Sequence, residues 1–230
     1  MYARVIKRVL DIILSLMAIV ILSPVYIVLI IVGAISMKGN PFFVQPRPGK
    51  KDRRTGVETM YKMIKFRSMM NATDKEGNPL SDDKRLTKYG EFIRKTSLDE
   101  LPEFFQVFTG KMSLVGPRPQ LVRDMVFMTE EQRKRHNVRP GITGLAQING
   151  RNAIEWEDKL IYDVKYVDNM SFRQDLKIVL ITIVKVFKTE SISYEGMATA
   201  EDFGDYLLRT GKVSKEEYDR KQEEARRLIR

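Results

Sequence analysis

Twenty-six consecutive residues, Ile12–Met37, carry no charged side chain. At about 1.5 Å rise per residue the run makes roughly 39 Å of helix, more than the roughly 30 Å hydrocarbon core of a bilayer. A cleaved signal peptide would have a shorter apolar region and a small-residue exit site, which this run lacks. A core helix of a soluble domain is seldom apolar on every face over this length. The sequence therefore points to membrane insertion. Ser23-Pro24 sits near the middle, and Pro24 has no N–H and crowds the carbonyl four residues back, so the helix kinks or breaks there. Lys and Arg stand on both sides: Arg4, Lys7 and Arg8 before the run, Lys38 and Arg47 onward after it. The positive-inside rule favours a re-entrant hairpin that keeps both flanks cytoplasmic; a kinked single span is the alternative.

The 230-residue chain has a net charge of +10, which invites a nucleic-acid reading. Its distribution argues otherwise. Residues 1–70 hold 12 Lys/Arg and three acids, while the rest holds 28 and 27. The basicity brackets the apolar run, as expected for anionic headgroups rather than nucleic acid. With no cysteine there is no disulfide framework, zinc ribbon or thiol nucleophile, and the single histidine, His136, excludes multi-histidine metal sites. Carboxylates, Lys/Arg and an oxygen-loving metal are what remain for chemistry.

Residues 38–60 are rich in Gly, Pro and basic side chains and read as loop or short strands. Glu58–Met69 alternates like a strand, and Lys84–Lys95 has helical spacing. Ser97–Pro102 should start a helix near Ser97–Asp99 that continues through Glu103–Phe108 and ends at Gly110. Leu121–His136 and Glu155–Met170 read as helices, and the Gly-rich stretches 113–119 and 138–150 as loops, the second with room for a short strand. The apolar stretch within Gln174–Lys188 is too short to span; it is either an interfacial helix or a core helix. The charged tail reads as a solvated or partner-binding helix. Three regions follow: a membrane helix at 1–38, a main domain at 39–198 and a charged helical tail at 199–230.

No G-x-x-x-x-G-K-[ST] and no G-x-G-x-x-G occurs. Asp99-Glu100 is a pair of carboxylates able to hold a hard divalent cation or to divide nucleophile and base roles. A capping box from Ser97 to Glu100 explains the same residues without chemistry. Arg118 lies between Pro117 and Pro119, a stiff mount suited to bidentate phosphate recognition; a solvent-facing loop arginine is the alternative. Lys65 and Arg67 share one face of the expected strand. Arg139-Pro140-Gly141 and Thr143-Gly144 could bring backbone close to a ligand or serve only as turns. His136 reads as an ordinary core or surface histidine, and Asp82-Asp83 and Glu155-Trp156-Glu157 as solvated acids.

In order, KFRSM (65–69), SLDELPEFFQVFTGKMSLVGPRP (97–119) and RPGITGLAQINGRN (139–152) resemble the bacterial sugar transferase family, the monotopic polyprenyl-phosphate phosphoglycosyltransferases, in their small catalytic-domain-only form. The resemblance covers the chain from the membrane helix to the helix after residue 174. It implies an α+β, mainly helical fold. That fold has an N-terminal re-entrant membrane helix broken at Ser23-Pro24, interfacial amphipathic helices and a compact cytoplasmic core on the bacterial inner membrane. It also implies transfer of a sugar 1-phosphate from a UDP-sugar to undecaprenyl phosphate with release of UMP, which starts cell-surface glycan synthesis. Asp99 would be the nucleophile and form a covalent phosphosugar intermediate. Glu100 would share Mg2+ binding with it, and Lys65, Arg67, Arg94, Arg118 and Arg139 would contact phosphate or nucleotide. A membrane-anchored assembly protein without catalysis is the alternative. The transferred sugar, and self-association into a homodimer, stay open.

Overall fold

A computed structural model describes residues 2–78, 80–150, 154–187 and 201–229. The expected boundary between catalytic domain and tail, at 198–199, lies outside the described residues, as do Lys188, Arg151 and Asn152. A π-helical turn, Tyr2–Ile6, leads into α1 (Lys7–Ile21) and then α2 (Ser23–Ser36). The two are bent by 63° at the break, and no single helix among the described residues is long and apolar enough to cross a membrane. The cause is local. Pro24 cannot donate to Val20 O, and the Ser23 hydroxyl donates to that carbonyl instead, at 2.8 Å.

α1 is inside out. Its buried residues are Lys7, Asp11 and Ser15, spaced four apart on one face. Lys7 Nζ meets Asp175 at 2.5 Å, Asp11 accepts from Ser113 Oγ and Leu114 N, and Arg8 donates to Val107 O and Phe108 O. Apolar Val9, Ile13, Met17 and Val20 face outward, as do Ile27, Ile31 and Ile35 of α2. The inner side of α2 is tied down by Tyr26, whose hydroxyl donates to Leu101 O at 2.6 Å, and by Tyr89, which donates to Leu29 O.

β1 (Phe42–Lys51) and β2 (Glu58–Phe66) form an antiparallel hairpin from the Phe42–Phe66 pair to the Lys51–Glu58 pair. Of the two expectations for this stretch, loop or short strands, the strand holds, and Pro46 and Pro48 lie within it. Each strand has a neighbour on one side only, so a missing N–H can face away from the ladder. The expected Lys84–Lys95 helix is split into α3 (Asp82–Arg85) and α4 (Lys88–Lys95), with Leu86 bridging to Met69 and Thr87 capping α4 through Gly90 N.

The capping box is absent. Ser97 has φ +56° and no side-chain cap bond, and Leu98–Glu100 forms one 3-10 turn. α5 (Glu103–Phe108) begins only after Pro102. β3 (Ser113–Val115) pairs in parallel with β4 (Gly141–Thr143), bringing the two glycine-rich motifs together. A Cβ on Gly141 would lie 2.1 Å from Gly116 N, and one on Gly144 2.2 Å from Gly116 O. These glycines serve backbone-to-backbone packing, not ligand approach. Leu121–His136 is not one helix but α6 (Val122–Met125) and a 3-10 segment, Gln132–Asn137. α7 (Leu145–Asn149) and α8 (Trp156–Asp168) follow. α9 (Phe172–Phe187) buries Asp175 and Ile178, while Phe172, Leu176, Leu180 and Ile183 form an exposed apolar row.

The tail is not a free solvated helix. α10 (Phe203–Arg209) and α11 (Lys215–Ile229) fold back on the body, where Phe203, Tyr206, Leu207 and Ala225 join Val122, Met125, Trp156 and Leu160 in one core. Asp124 accepts from Phe203 N at 2.9 Å, and Trp156 Nε1 donates to Glu201 O. Phe203 is 2% exposed, so Phe203→Ala should cost about 3 kcal/mol, read as a lowered thermal midpoint of the detergent-solubilised protein. A loss under about 1 kcal/mol would mean the tail docks only loosely.

Candidate active site

Three segments deliver the site. Lys65 stands near the end of β2, the 3-10 turn carries Asp99 and Glu100, and Arg118 follows β3 on the Pro-flanked loop. Lys65 Nζ lies 2.8 Å from Glu100 Oε1, and Arg118 Nη2 lies 2.6 Å from the same oxygen. Glu103, one turn beyond at the start of α5, is 2% exposed and places Oε1 3.1 Å from Lys65 Nζ. That contact is an ion pair by distance, but its geometry makes no hydrogen bond. Gln106 registers α5 against β2: its Nε2 donates to Lys62 O, and its Oε1 accepts from Ile64 N.

The electrostatics separate the two carboxyls of the dyad. Burial opposes ionisation of Glu100, but Arg118 and Lys65 outweigh it and hold this group well below the usual carboxylate range. Burial, and then the Glu100 charge, pushes Asp99 up to about 6 against the pull of Lys65, Arg118 and Arg94. Burial also raises Glu103 to about 7. Glu100 raises Arg118 above the usual guanidinium range. Among the described residues no hydrogen bond or ion pair holds Asp99, whereas Glu100 takes both cations. One carboxyl is braced by cations and the other is not, the kind of division that pushes two acid constants apart.

Arg118 is the most open of the four charged partners, with a side chain 40% exposed, and its backbone is fixed from behind. Arg118 O accepts from Arg135 Nη2, whose guanidinium forms a fully buried pair with Asp163 at 2.7 Å. Pro119 O accepts from Arg47 Nη1. Arg94 donates to Ser68 Oγ and lies close enough to pull on Asp99. Arg67 sits one residue past β2, and its Nε is buried with no hydrogen-bond partner among the described residues. Arg139 is not with this group. Its Nε donates to Gly110 O, past the far end of α5. His136 is a core histidine: burial lowers it to about 4, and its Nδ1 lies 3.2 Å from Glu58 Oε1.

Sequence reasoning passed over Glu103, Arg47 and Arg135. Glu103 stands three residues after Glu100, the spacing that puts two side chains on one side of a turn. Arg47 lies between Pro46 and Pro48, the same Pro-Arg-Pro pattern as 117–119. Nothing in the sequence marks Arg135.

Glu100 and Lys65 form a part-buried pair, so Lys65→Met leaves Glu100 with Arg118 alone and takes the cation from buried Glu103, and should destabilise by about 3 kcal/mol. Combining it with Glu100→Gln should recover part of that loss in a double-mutant cycle on thermal unfolding. A coupling below about 0.5 kcal/mol would separate the two residues energetically.

The chain matches the sequence profile described as bacterial sugar transferase over residues 2–189. It is 49% identical to a Bacillus subtilis protein named uncharacterized sugar transferase EpsL, across 77% of this chain and 86% of that one. It is 41% identical to the UDP-glucose:undecaprenyl-phosphate glucose-1-phosphate transferase of Klebsiella pneumoniae, and 38% identical to the protein of that name in Escherichia coli. Those matches cover 81% and 80% of this chain but only 41% and 40% of the two relatives, so the chain spans about two fifths of their length. With a profile matching most of its length and a relative of nearly half identity, the chain belongs to the bacterial sugar transferase family.

Proposed function

We propose that the protein transfers a sugar 1-phosphate from a UDP-sugar to undecaprenyl phosphate, releasing UMP, through a covalent intermediate on Asp99. The observation that carries this reading is the split dyad: Glu100 is held by Lys65 and Arg118, while Asp99 beside it has no partner of its own. The names of the Klebsiella and Escherichia coli relatives support the two substrates.

In the first step an Asp99 carboxylate oxygen attacks the sugar-bearing phosphorus. The bond from that phosphorus to the bridging oxygen breaks, and UMP leaves with the oxygen. In the second step an oxygen of undecaprenyl phosphate attacks the same phosphorus and displaces Asp99, giving a sugar diphosphate lipid. Arg118 is placed to meet the phosphate oxygens on which charge develops. Lys65 keeps Glu100 ionised, and the orphaned Arg67 Nε is a further donor for an anion.

Asp99 and Glu100 fit Mg2+ as a two-carboxylate set, because Glu100 uses only Oε1 for its cations and both residues offer hard oxygen ligands. Among the described residues no cluster of three or more acidic, His or Cys side chains could hold a metal, so substrate phosphates and water complete the shell. Bound Mg2+ would neutralise diphosphate charge and ease departure of UMP.

The same reading places the protein in the bacterial inner membrane, with its catalytic body on the cytoplasmic face. α1 and α2 are about 22 and 21 Å long, each short of a bilayer core. Their outward faces are apolar, their charges are spent on the protein body, and Lys/Arg flank both ends. A helix pair that enters and leaves by the same leaflet puts Asp99 at headgroup height, where a lipid phosphate lies. The outward apolar row of α9 suits the interface.

Asp99→Asn should lower UMP release from UDP-sugar, undecaprenyl phosphate and Mg2+ by more than about 10³, with an unchanged thermal midpoint. Turnover at the wild-type rate would remove Asp99 from the nucleophile role. Because the chain has no cysteine, Ala3→Cys and Lys38→Cys can each be labelled cleanly in sealed vesicles. Both should react from the same side, and reaction from opposite sides would replace the re-entrant pair with a kinked span.

A further inference from the structure

Five cations converge on one opening beside the N-terminal end of α1. Lys7 and Arg8 of that helix, Lys50 and Arg53 of the hairpin's closed end, and Arg139 line a cavity of about 190 Å³. Asp11 is the one acid in its wall, and it is already occupied by Ser113 Oγ and Leu114 N. Lys7 is spent on Asp175, and Arg8 on two carbonyls. Lys50 and Arg53 have no acidic partner among the described residues, and Arg139 uses only Nε. The cations repel one another: Lys50 is lowered by burial and then by Arg139 and Arg53, and Arg139 by burial and then by Arg8.

We propose that this cavity is a second phosphate-binding site, separate from the Asp99 site, that takes a phosphomonoester or phosphodiester group. Three features define its ligand. The surplus of positive charge exceeds what one carboxylate would neutralise, and guanidinium forks pair with phosphate through two parallel bonds. At about 190 Å³ the cavity has room for a phosphate head. Its wall includes the two charged residues that open α1, a few residues before the uncharged run begins.

The site is not the far end of the catalytic one. Asp99-Glu100 precede α5, whereas Val107 O, Phe108 O and Gly110 O at its other end hold Arg8 and Arg139. The six residues of α5 alone put about 9 Å between these ends. A phosphorus under attack by Asp99 does not also sit in this cavity. The ligand is therefore a second phosphate, supplied either by an anionic phospholipid headgroup or by a free phosphate. The inference stands on the cavity and its cations and does not depend on the proposed reaction.

The test uses the whole protein in neutral detergent, reading its thermal midpoint with added inorganic phosphate, with phosphatidylglycerol, and with phosphatidylcholine as control. At a hundredfold excess over Kd, occupation should raise the midpoint by about 5 °C or more for a chain of this size. Lys50→Ala/Arg53→Ala should keep the unliganded midpoint and the basal transfer rate in neutral micelles, and should lose that rise. A rise with phosphatidylglycerol alone assigns the site to a lipid headgroup; a rise with inorganic phosphate as well assigns it to free phosphate chemistry. No rise in the wild type, or an equal rise in the double variant, overturns the proposal.

Discussion

A carboxylate taken out of water stays ionised only if cations come with it. Glu100 meets that condition with Lys65 from a strand and Arg118 from a loop on the other side of the dyad. At an effective dielectric near 20, the 2.8 Å contact to Lys65 alone carries about 6 kcal/mol of gross attraction, against a desolvation cost of several kcal/mol per ion. The balance closes only with both cations present. The hairpin, the 3-10 turn and the Arg118 loop are therefore held in one arrangement by the charge that the chemistry needs. Asp99 is left with the opposite problem, a half-buried carboxyl beside a fixed negative charge.

The bracing extends outward in layers. Arg118 is mounted between two prolines, its carbonyl is held by Arg135, and Arg135 is neutralised by Asp163 on α8. α6, just beyond, is covered by the C-terminal helices through Phe203 and Asp124. The tail lies outside the stretch matched by the family profile, yet it packs against the segment that leaves the Arg118 loop. The tail thus bears on how firmly the Arg118 guanidinium is held.

What could be read from the sequence follows from the range of each interaction. The break at Ser23-Pro24 was legible because a missing N–H acts on the carbonyl four residues back and nowhere else. β2, α8 and α9 were legible from periodicity. The dyad, Lys65 and Arg118 stood out through motif resemblance, and the structure brings these four together. Ser97 misled, because a serine before two acids fits a cap as well as it fits a left-handed turn. Pro46 and Pro48 ruled out a long helix but left loop and strand open, because an edge strand tolerates what an interior strand does not. Glu103, Arg47 and Arg135 gain their meaning from partners 17 to 72 residues away, or from burial, and neither is written in local spacing. The tail's core residues, Phe203, Tyr206 and Leu207, were hidden by the charge of the helix that follows.

One short helix links α1 to both clusters of cations. The last carbonyls of any helix have no partners within it and attract cations. At the end of α5 they collect Arg8 from α1, and just past it Gly110 O takes Arg139. The two Arg8 bonds hold α1 along α5. Arg139 uses only Nε there and lines the same cavity as Lys50 and Arg53. A helix terminus that needed cations for its own carbonyls thus gathers more charge than it consumes. The excess stands beside the first turn of α1, at the edge of the uncharged run.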